Sequence, residues 1–439
     1  MSNELSLSHQ FTPEAFDAHL AAFDGPAWLA DLKRRHWQDY TTLPMPTRTM
    51  ERWRFTRLSK LTLDGFAPVD AAPANAVEQL SQHLELSDRA AARVGFVDNQ
   101  LILRGSDLPK GVEVMTFREA AETHADYLKD YFNARSAALG MDKFFALHMA
   151  FLTDGVFIRV PRGVVLEDPI ELHYLSSQPE ALLTPHTLLV AEEHSQVELI
   201  EYHGTLGSFP NEPARGLSIG VGTVHAGQAS VVKRVYVQDH RPGYHCYQSE
   251  EATAGRDCSL ESTAVNLGGD YARLEGHTIA AGTGADVHLY SLAAPIGRQV
   301  FDQRTLQTHR ASQARSDLLF KNALLDQSQT IFSGMIVVED EAQQTDAYQT
   351  NRNLLLSPTA EANSLPGLEI EANDVKCSHG ATTGQVSPEE MFYLKARGIP
   401  ERRAYELLVF GFFEEVLGKI ASEDVHQRLA EKVQAKFAL

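Results

Sequence analysis

The chain has 439 residues, 43% hydrophobic and 22% charged, an ordinary globular composition that excludes wholesale disorder. Its 39 Lys and Arg against 58 Asp and Glu leave a net charge of −19, which argues against a general nucleic-acid-binding surface, because phosphate affinity comes from clustered cations. No run is long and apolar enough for a membrane span, the start MSNELSLSHQ has neither signal nor transit character, and three cysteines cannot build a disulfide framework, so a cytoplasmic chain is expected.

Composition shifts divide the chain into residues 1–150, 151–385 and 386–439. The first part reads as mostly helical with short strands. Thr12-Pro13-Glu14 orders an N-cap hydroxyl, a first-turn proline and an acid as a helix start requires. Asp24-Gly25-Pro26 starts another helix, carrying Trp28, Leu29, Leu32 and Trp37, which Leu43-Pro44-Met45-Pro46 stops. Helices are also predicted for Ala74–Leu86 and Phe117–Leu139, and between them Val94–Leu103 reads as a hairpin turning at Asp98-Asn99.

From Gly155 to about Thr382 the apolar runs shorten and glycine becomes frequent. Strands such as Val197–Ile200, Val231–Val237 and Val287–Tyr290 follow small polar turns centred on Ser195, Gly227, Gly255, Gly284, Ser312, Ser328 and Ala342. Those centres step by 32, 28, 29, 28, 16 and 14 residues. A repeat near 28 with a half-repeat near 14 predicts a solenoid of short stacked strands, with alternate residues such as Leu289 and Val337 facing an inner aliphatic column. The competing reading of the same turns is an antiparallel sandwich.

Helical pattern returns after Gln385. Ser387-Pro388-Glu389-Glu390 is a helix start, and Ala404, Leu407, Leu408, Gly411, Phe412 and Val416 fall on one face of a later helix. Phe410 and Phe413 add more apolar surface than a small appendage needs. The segment therefore either caps the solenoid end or meets another protein, with Phe392, Tyr393, Leu408, Phe410 and Phe412 as the expected apolar anchors.

Catalytic signatures are missing. There is no phosphate-binding P-loop, Gly220 and Gly222 lack the third glycine of a dinucleotide fingerprint, and no G-x-S-x-G, H-E-x-x-H or C-x-x-C occurs. No nucleotide is expected on this chain, and no enzymatic activity. Acidic pairs such as Glu192-Glu193 and Glu250-Glu251 read as solvated charge. What remains is Asp374-Val-Lys-Cys377-Ser-His379-Gly380-Ala-Thr-Thr-Gly384. On a strand, residues i and i+2 share a face, so Cys377 and His379 would offer a thiol and an imidazole together, a donor pair suited to iron, zinc or an iron–sulfur cluster. Two donors are half of a typical site, and a buried structural Cys–His pair is the bland alternative. Cys246 and Cys258 read as packing residues.

Those residues, followed by Met391–Ile399 and Leu408–Phe412, resemble the C-terminal signature of the SufB/SufD family of iron–sulfur cluster assembly subunits. Further similar stretches are Thr345–Ser357, Phe145–Ile158 and Glu51–Thr56, so the resemblance covers essentially the whole chain. The His-Gly-Ala-Thr run after Cys377-Ser378 and the lack of C-x-x-C are closer to the SufD branch. The resemblance implies a right-handed parallel β-helix between helical ends and a scaffold role without catalysis. It implies pairing with a SufB-like paralogue and docking of a SufC-like ATPase on the C-terminal helices. It also implies that His379, and secondarily Cys377, lie where a transient iron–sulfur cluster or iron is held at the interface with SufB. In isolation the chain could form a homodimer. The alternatives are a SufB-like scaffold accepting persulfide on Cys377 or Cys258, and, more remotely, a β-helix enzyme acting on polysaccharide.

Overall fold

The computed structural model describes residues 11–437 except 57, 59, 60, 62, 70, 82–86 and 207–214. Strands from Val156 to Gln385 wind into a parallel β-solenoid with helical regions before and after it. Successive strands alternate between two sheets, which among the described residues have 11 and 10 strands, and every coil pairs in parallel with the coil before it. Lys376 pairs with Asp346, Asp346 with Arg315 and Arg315 with Asp286, advances of 30, 31 and 29 residues. The sequence repeat near 28 is thus one coil of two strands, and the sandwich alternative is excluded.

The recurring turns mark a corner. At it stand His194, Ala229, Asp257, Gly284, Gln313 and Gln344, all with positive φ between 51° and 72°. Each donates its N–H to a carbonyl one coil on: His194 to Gln228 at 2.9 Å, Ala229 to Arg256 at 2.8 Å and Gln313 to Gln343 at 2.9 Å. The left-handed conformation turns the amide along the stack, where a carbonyl waits. Five of the six are not glycine, which is why the column is not obvious in the sequence. Ser328, where the step halves, lies beside Asp326 (φ 62°) on the opposite corner.

Inside, period-two alternation fills the coils with aliphatic side chains. Ile158, Leu199, Val232, Leu260 and Val287 form one cluster, and Ile336, Val338 and Ala347 another near the last coil. Leu289 packs against two interior clusters, as expected. Val337 does not: it alternates with the inward Ile336 and Val338 and so faces out. Glu250, expected in solvent, points inside, where it and Glu201 pair with Arg234. Gly222 lies opposite Glu250 in register and makes the room, since a Cβ there would meet Glu250 Oε2 at 2.2 Å.

The two broad outer faces are both covered. Helices Pro13–Ala22, Ala27–Thr42 and Asp142–Phe151 lie on the 11-stranded sheet, packing Phe16, Tyr40, Phe144 and Phe151 with Leu217, Tyr247, Tyr271 and Ile331. The Asp142–Phe151 helix carries no side-chain cap, and every residue in it after Asp142 is buried, so neither a capping start signal nor an amphipathic stripe announces it. The predicted Phe117–Leu139 helix is two, Phe117–Thr123 and Ala125–Ala134, and of the predicted Ala74–Leu86 helix, Ala76–Ser81 is helical while 82–86 lie outside the described residues. The hairpin is Ala92–Val97 with Gln100–Ser106, turning at Asp98 and Asn99, both at positive φ.

A buried ionic network fixes the segment 51–56 to the coils. Arg273 pairs with Glu275 and with Asp302 at 2.8 Å, Arg304 meets Asp302 at 2.6 Å, and Thr56 Oγ1 donates to Asp302 at 2.8 Å. The Arg273 guanidinium also stacks 3.8 Å from the Trp53 ring centroid. Burial alone would push the Asp302 carboxyl up, but Arg273 and Arg304 outweigh it and hold the group below its ordinary range.

The 10-stranded sheet carries the C-terminal arm: Pro388–Ala396, Glu401–Leu417 and Glu423–Phe437. Val409, Phe413, Val416, Val425, Leu429 and Val433 pack on Val235, Val265, Leu292 and Leu319. The buried face of the second arm helix is therefore Ala404, Val409, Phe413, Val416 and Leu417, not the stripe through Leu407, Leu408 and Gly411. That helix is apolar on most sides, so spacing alone did not select the face. The arm covers a flank of the solenoid, not its end.

The inward and outward alternation has a direct test. Ile336→Asp buries a charge without a partner and should cost about 3 kcal/mol or more, lowering the thermal midpoint sharply. Val337→Asp, one residue on, should cost under about 1 kcal/mol. Equal midpoints for the two variants would refute the assigned register.

Candidate functional site

The last coil is the part of the solenoid that no other described residue pairs with or covers. Glu361–Ile370 ends one sheet and Lys376–Gln385 ends the other, each paired on one side only. Most residues of Lys376–Gln385 are exposed, whereas the strand beneath, Asp346–Leu355, buries alternate residues. A parallel strand edge presents a row of unpaired N–H and C=O groups.

Cys377 and His379 stand on this edge and share a face, as their spacing predicts. Cys377 lies over Ala347, and His379 over Gln349. Ala347 and Gln349 are both buried inside the coil, so Cys377 and His379 continue inward-facing columns past the last layer that has a neighbour. The outcome differs for the two. Cys377 is half-buried against the Ile336–Val338–Ala347 cluster, and burial raises its thiol pKa. His379 is exposed, because no further coil exists to cover it.

Beneath the pair lies a layer of amides. Gln349 donates to the Gly334 carbonyl at 3.3 Å, Ser364 Oγ donates to Asn351 Oδ1 at 2.7 Å, and Asn322 donates to Asn353 Oδ1 at 2.8 Å. Among the described residues, no group of three or more His, Cys, Asp or Glu could hold a metal ion. The end of the coil thus offers an imidazole and a half-shielded thiol, which is an incomplete donor set. A ligand held here needs donors from another molecule.

Of the five expected apolar anchors, Phe392 (74% exposed) and Tyr393 (57%) stand free on the first arm helix, which buries no residue. Leu407, 39% exposed, is a further exposed apolar side chain on the second arm helix. Leu408 is half-buried, while Phe410 and Phe412 pack against the cluster joining the arm to the sheet. Lys321 donates to the Phe412 carbonyl at 2.8 Å and sits 4.7 Å from the Phe412 ring centroid. Sequence reasoning missed the Arg273–Asp302 lock, although both charges stand at one register position on consecutive coils and could have been found from the repeat.

Cys246 packs inside with Tyr244, Ala272 and Phe301, and burial pushes its thiol up to about 12. Cys258 is equally enclosed, with its thiol pushed up to about 11. Thiolate is the reactive form, so the native protein should be alkylated by iodoacetamide at Cys377 first, and at Cys246 and Cys258 only on unfolding. Modification of Cys246 or Cys258 at the rate of Cys377 would contradict this order.

Comparison with known proteins finds sequence similarity over nearly the whole chain. Residues 173–412 match the family model described as the SUF system FeS cluster assembly SufBD core domain, and residues 23–172 match that of the SufBD protein N-terminal region. The iron–sulfur cluster assembly protein SufD of Bacillus subtilis is 27% identical over 99% of both chains. SufD of Escherichia coli is 26% identical over 91% of both, and a SufBD family protein of Synechocystis is 27% identical over 90% of this chain and 88% of its own. With the core model covering more than half of its length, the chain belongs to the SufB/SufD family of the SUF iron–sulfur cluster assembly system.

Proposed function

We propose that this chain is a SufD-like, non-catalytic scaffold subunit that works in the cytoplasm, pairs with a SufB-like paralogue through its open coil end, and docks a SufC-like ATPase on its arm. The observation that carries this reading is the last coil, uncovered among the described residues, where His379 is exposed on a strand edge that lacks its next neighbour. A second protein laid against that edge would meet the imidazole directly. The iron–sulfur cluster is cargo here: His379 supplies one nitrogen donor, and the paralogue supplies the thiolates this chain lacks. Cys377 contributes less, because its half-buried thiol holds its proton. A persulfide-accepting role for Cys258 is disfavoured by its burial. In the absence of the paralogue, a second copy of this chain could take the same edge as a homodimer.

The arm supplies the other contact. Phe392, Tyr393 and Leu407 are apolar side chains that the arm's own packing leaves exposed, suited to a partner that carries the nucleotide. Phe410 and Phe412 hold the arm in place and so set the position of that surface.

Two experiments test the two contacts. In the complex copurified with its partners, His379→Ala should leave assembly and thermal midpoint unchanged while bound iron and sulfide fall severalfold, with a smaller fall for Cys377→Ser. Wild-type cluster content in His379→Ala would remove the ligand role. For the arm, Phe392→Ser combined with Tyr393→Ser should weaken ATPase capture by about tenfold or more without changing stability, since both side chains are exposed. Deleting 387–439 is the poorer test, because it would also strip Val409, Phe413 and Leu429 from the sheet. Full capture by the double variant would put the docking site elsewhere.

A further inference from the structure

In a parallel solenoid, side chains at one register position stack in columns that run from coil to coil, with neighbours about 4.8 Å apart along the stack. One such column stands just past the left-handed corner of the 10-stranded sheet. Asp286 pairs with Arg315, Arg315 with Asp346, and Asp346 with Lys376. The residues that follow two of its members, Val287 and Ala347, pack in the interior, so the column itself faces outward. Its charge alternates from coil to coil: negative, positive, negative, positive. Opposite charges at facing positions stabilise a sheet and like charges destabilise it. All of these residues line a groove of about 730 Å³, together with Asp374.

Lys376 differs from the other cation of the column. Arg315 has a carboxylate in register on each side, Asp286 before it and Asp346 after it. Lys376 has Asp346 on one side and, among the described residues, no strand on the other. It is exposed, and it is the one charged residue of Lys376–Gln385. Asp374 belongs to the corner before the strand, where its carbonyl accepts the Gln344 N–H at 2.6 Å and its own N–H donates to Gln343 Oε1 at 3.0 Å. The position that would follow Lys376 in the column is therefore open.

We propose that Lys376 selects the strand that extends this sheet, and that the selected strand belongs to a different protein and carries a carboxylate opposite Lys376. This inference rests on the pairing proposed above for the open coil end and adds the chemistry of the partner's edge. A carboxylate there continues the alternation. A neutral or basic edge would strip water from the ammonium without supplying a counter-ion, which is how an edge lysine discourages unselected pairing. A second copy of this chain fits less well. Any register that pairs two Lys376–Gln385 strands along their length sets a neutral residue or a second lysine against Lys376, because the strand contains no acid.

The test measures affinity between the full-length chain and its SufB-like paralogue at low and at high salt, with carbodiimide cross-linking and peptide mapping of the same complex. Lys376→Glu turns an attraction into a repulsion and should weaken pairing about fivefold or more at low salt, with the gap closing at high salt. Arg315→Gln, one step back in the column and equally exposed, should pair as wild type. The carbodiimide should join the Lys376 amine to an Asp or Glu of the paralogue. Equal affinity of wild type and Lys376→Glu at low salt overturns the inference and leaves the pairing itself standing. An equal loss in Arg315→Gln, or cross-links from Lys376 only to Asp346 or Asp374 of its own chain, does the same. Failure of the wild-type chain to pair at all removes the proposed pairing and this inference together.

Discussion

A parallel solenoid satisfies its backbone hydrogen bonds only between one coil and the next, so its two ends are left with open edges. In this chain the two ends are treated differently. At the first coil the N-terminal region adds strands: Glu113–Thr116 pairs antiparallel on one sheet, and on the other Ala92–Val97 pairs in parallel and carries Gln100–Ser106 antiparallel beyond it. At the last coil no strand is added among the described residues. The chain turns away after Gln385 and lays its arm along a flank. The asymmetry decides what is displayed: Gln349, one layer down, is a buried core amide, and His379 in the same column is a surface imidazole.

The flanking regions hold that geometry by different physics. The N-terminal helices join the 11-stranded sheet through aromatic packing and through the Arg273–Asp302–Arg304 network, whose charges are fully enclosed. Such a network adds little net stability over apolar packing, but removing one member leaves its partners buried and unpaired, so it enforces one docking geometry. The arm joins the other sheet through aliphatic and phenyl side chains, with Lys321 between Glu415 and the Phe412 carbonyl at its border. Among the described residues, both regions leave the last coil open.

The site is correspondingly sparse. A resident metal centre would show convergent ligands fixed by neighbouring hydrogen bonds. Here there are one exposed imidazole, one half-shielded thiol and a firm floor of amides. Rigidity comes from the coil below, and a metal bound here would need its remaining donors from another molecule.

Much of this was legible from local pattern. The repeat near 28 residues, the Thr12 and Ser387 helix starts, and the shared face of Cys377 and His379 all follow from spacing and capping chemistry within a few residues of each other. What the tertiary structure decided was burial. Val337 and Ile336 are adjacent and equally apolar, and only the pairing register assigns one to the interior. Glu250 reads as surface charge until Arg234 on the facing sheet and Gly222 on the previous coil give it a partner and a space. The second arm helix is apolar on most sides, so its buried face was chosen by the sheet it met. Periodicity states which side chains share a face; it does not state what lies opposite, and the free energy of a buried group is set by what lies opposite.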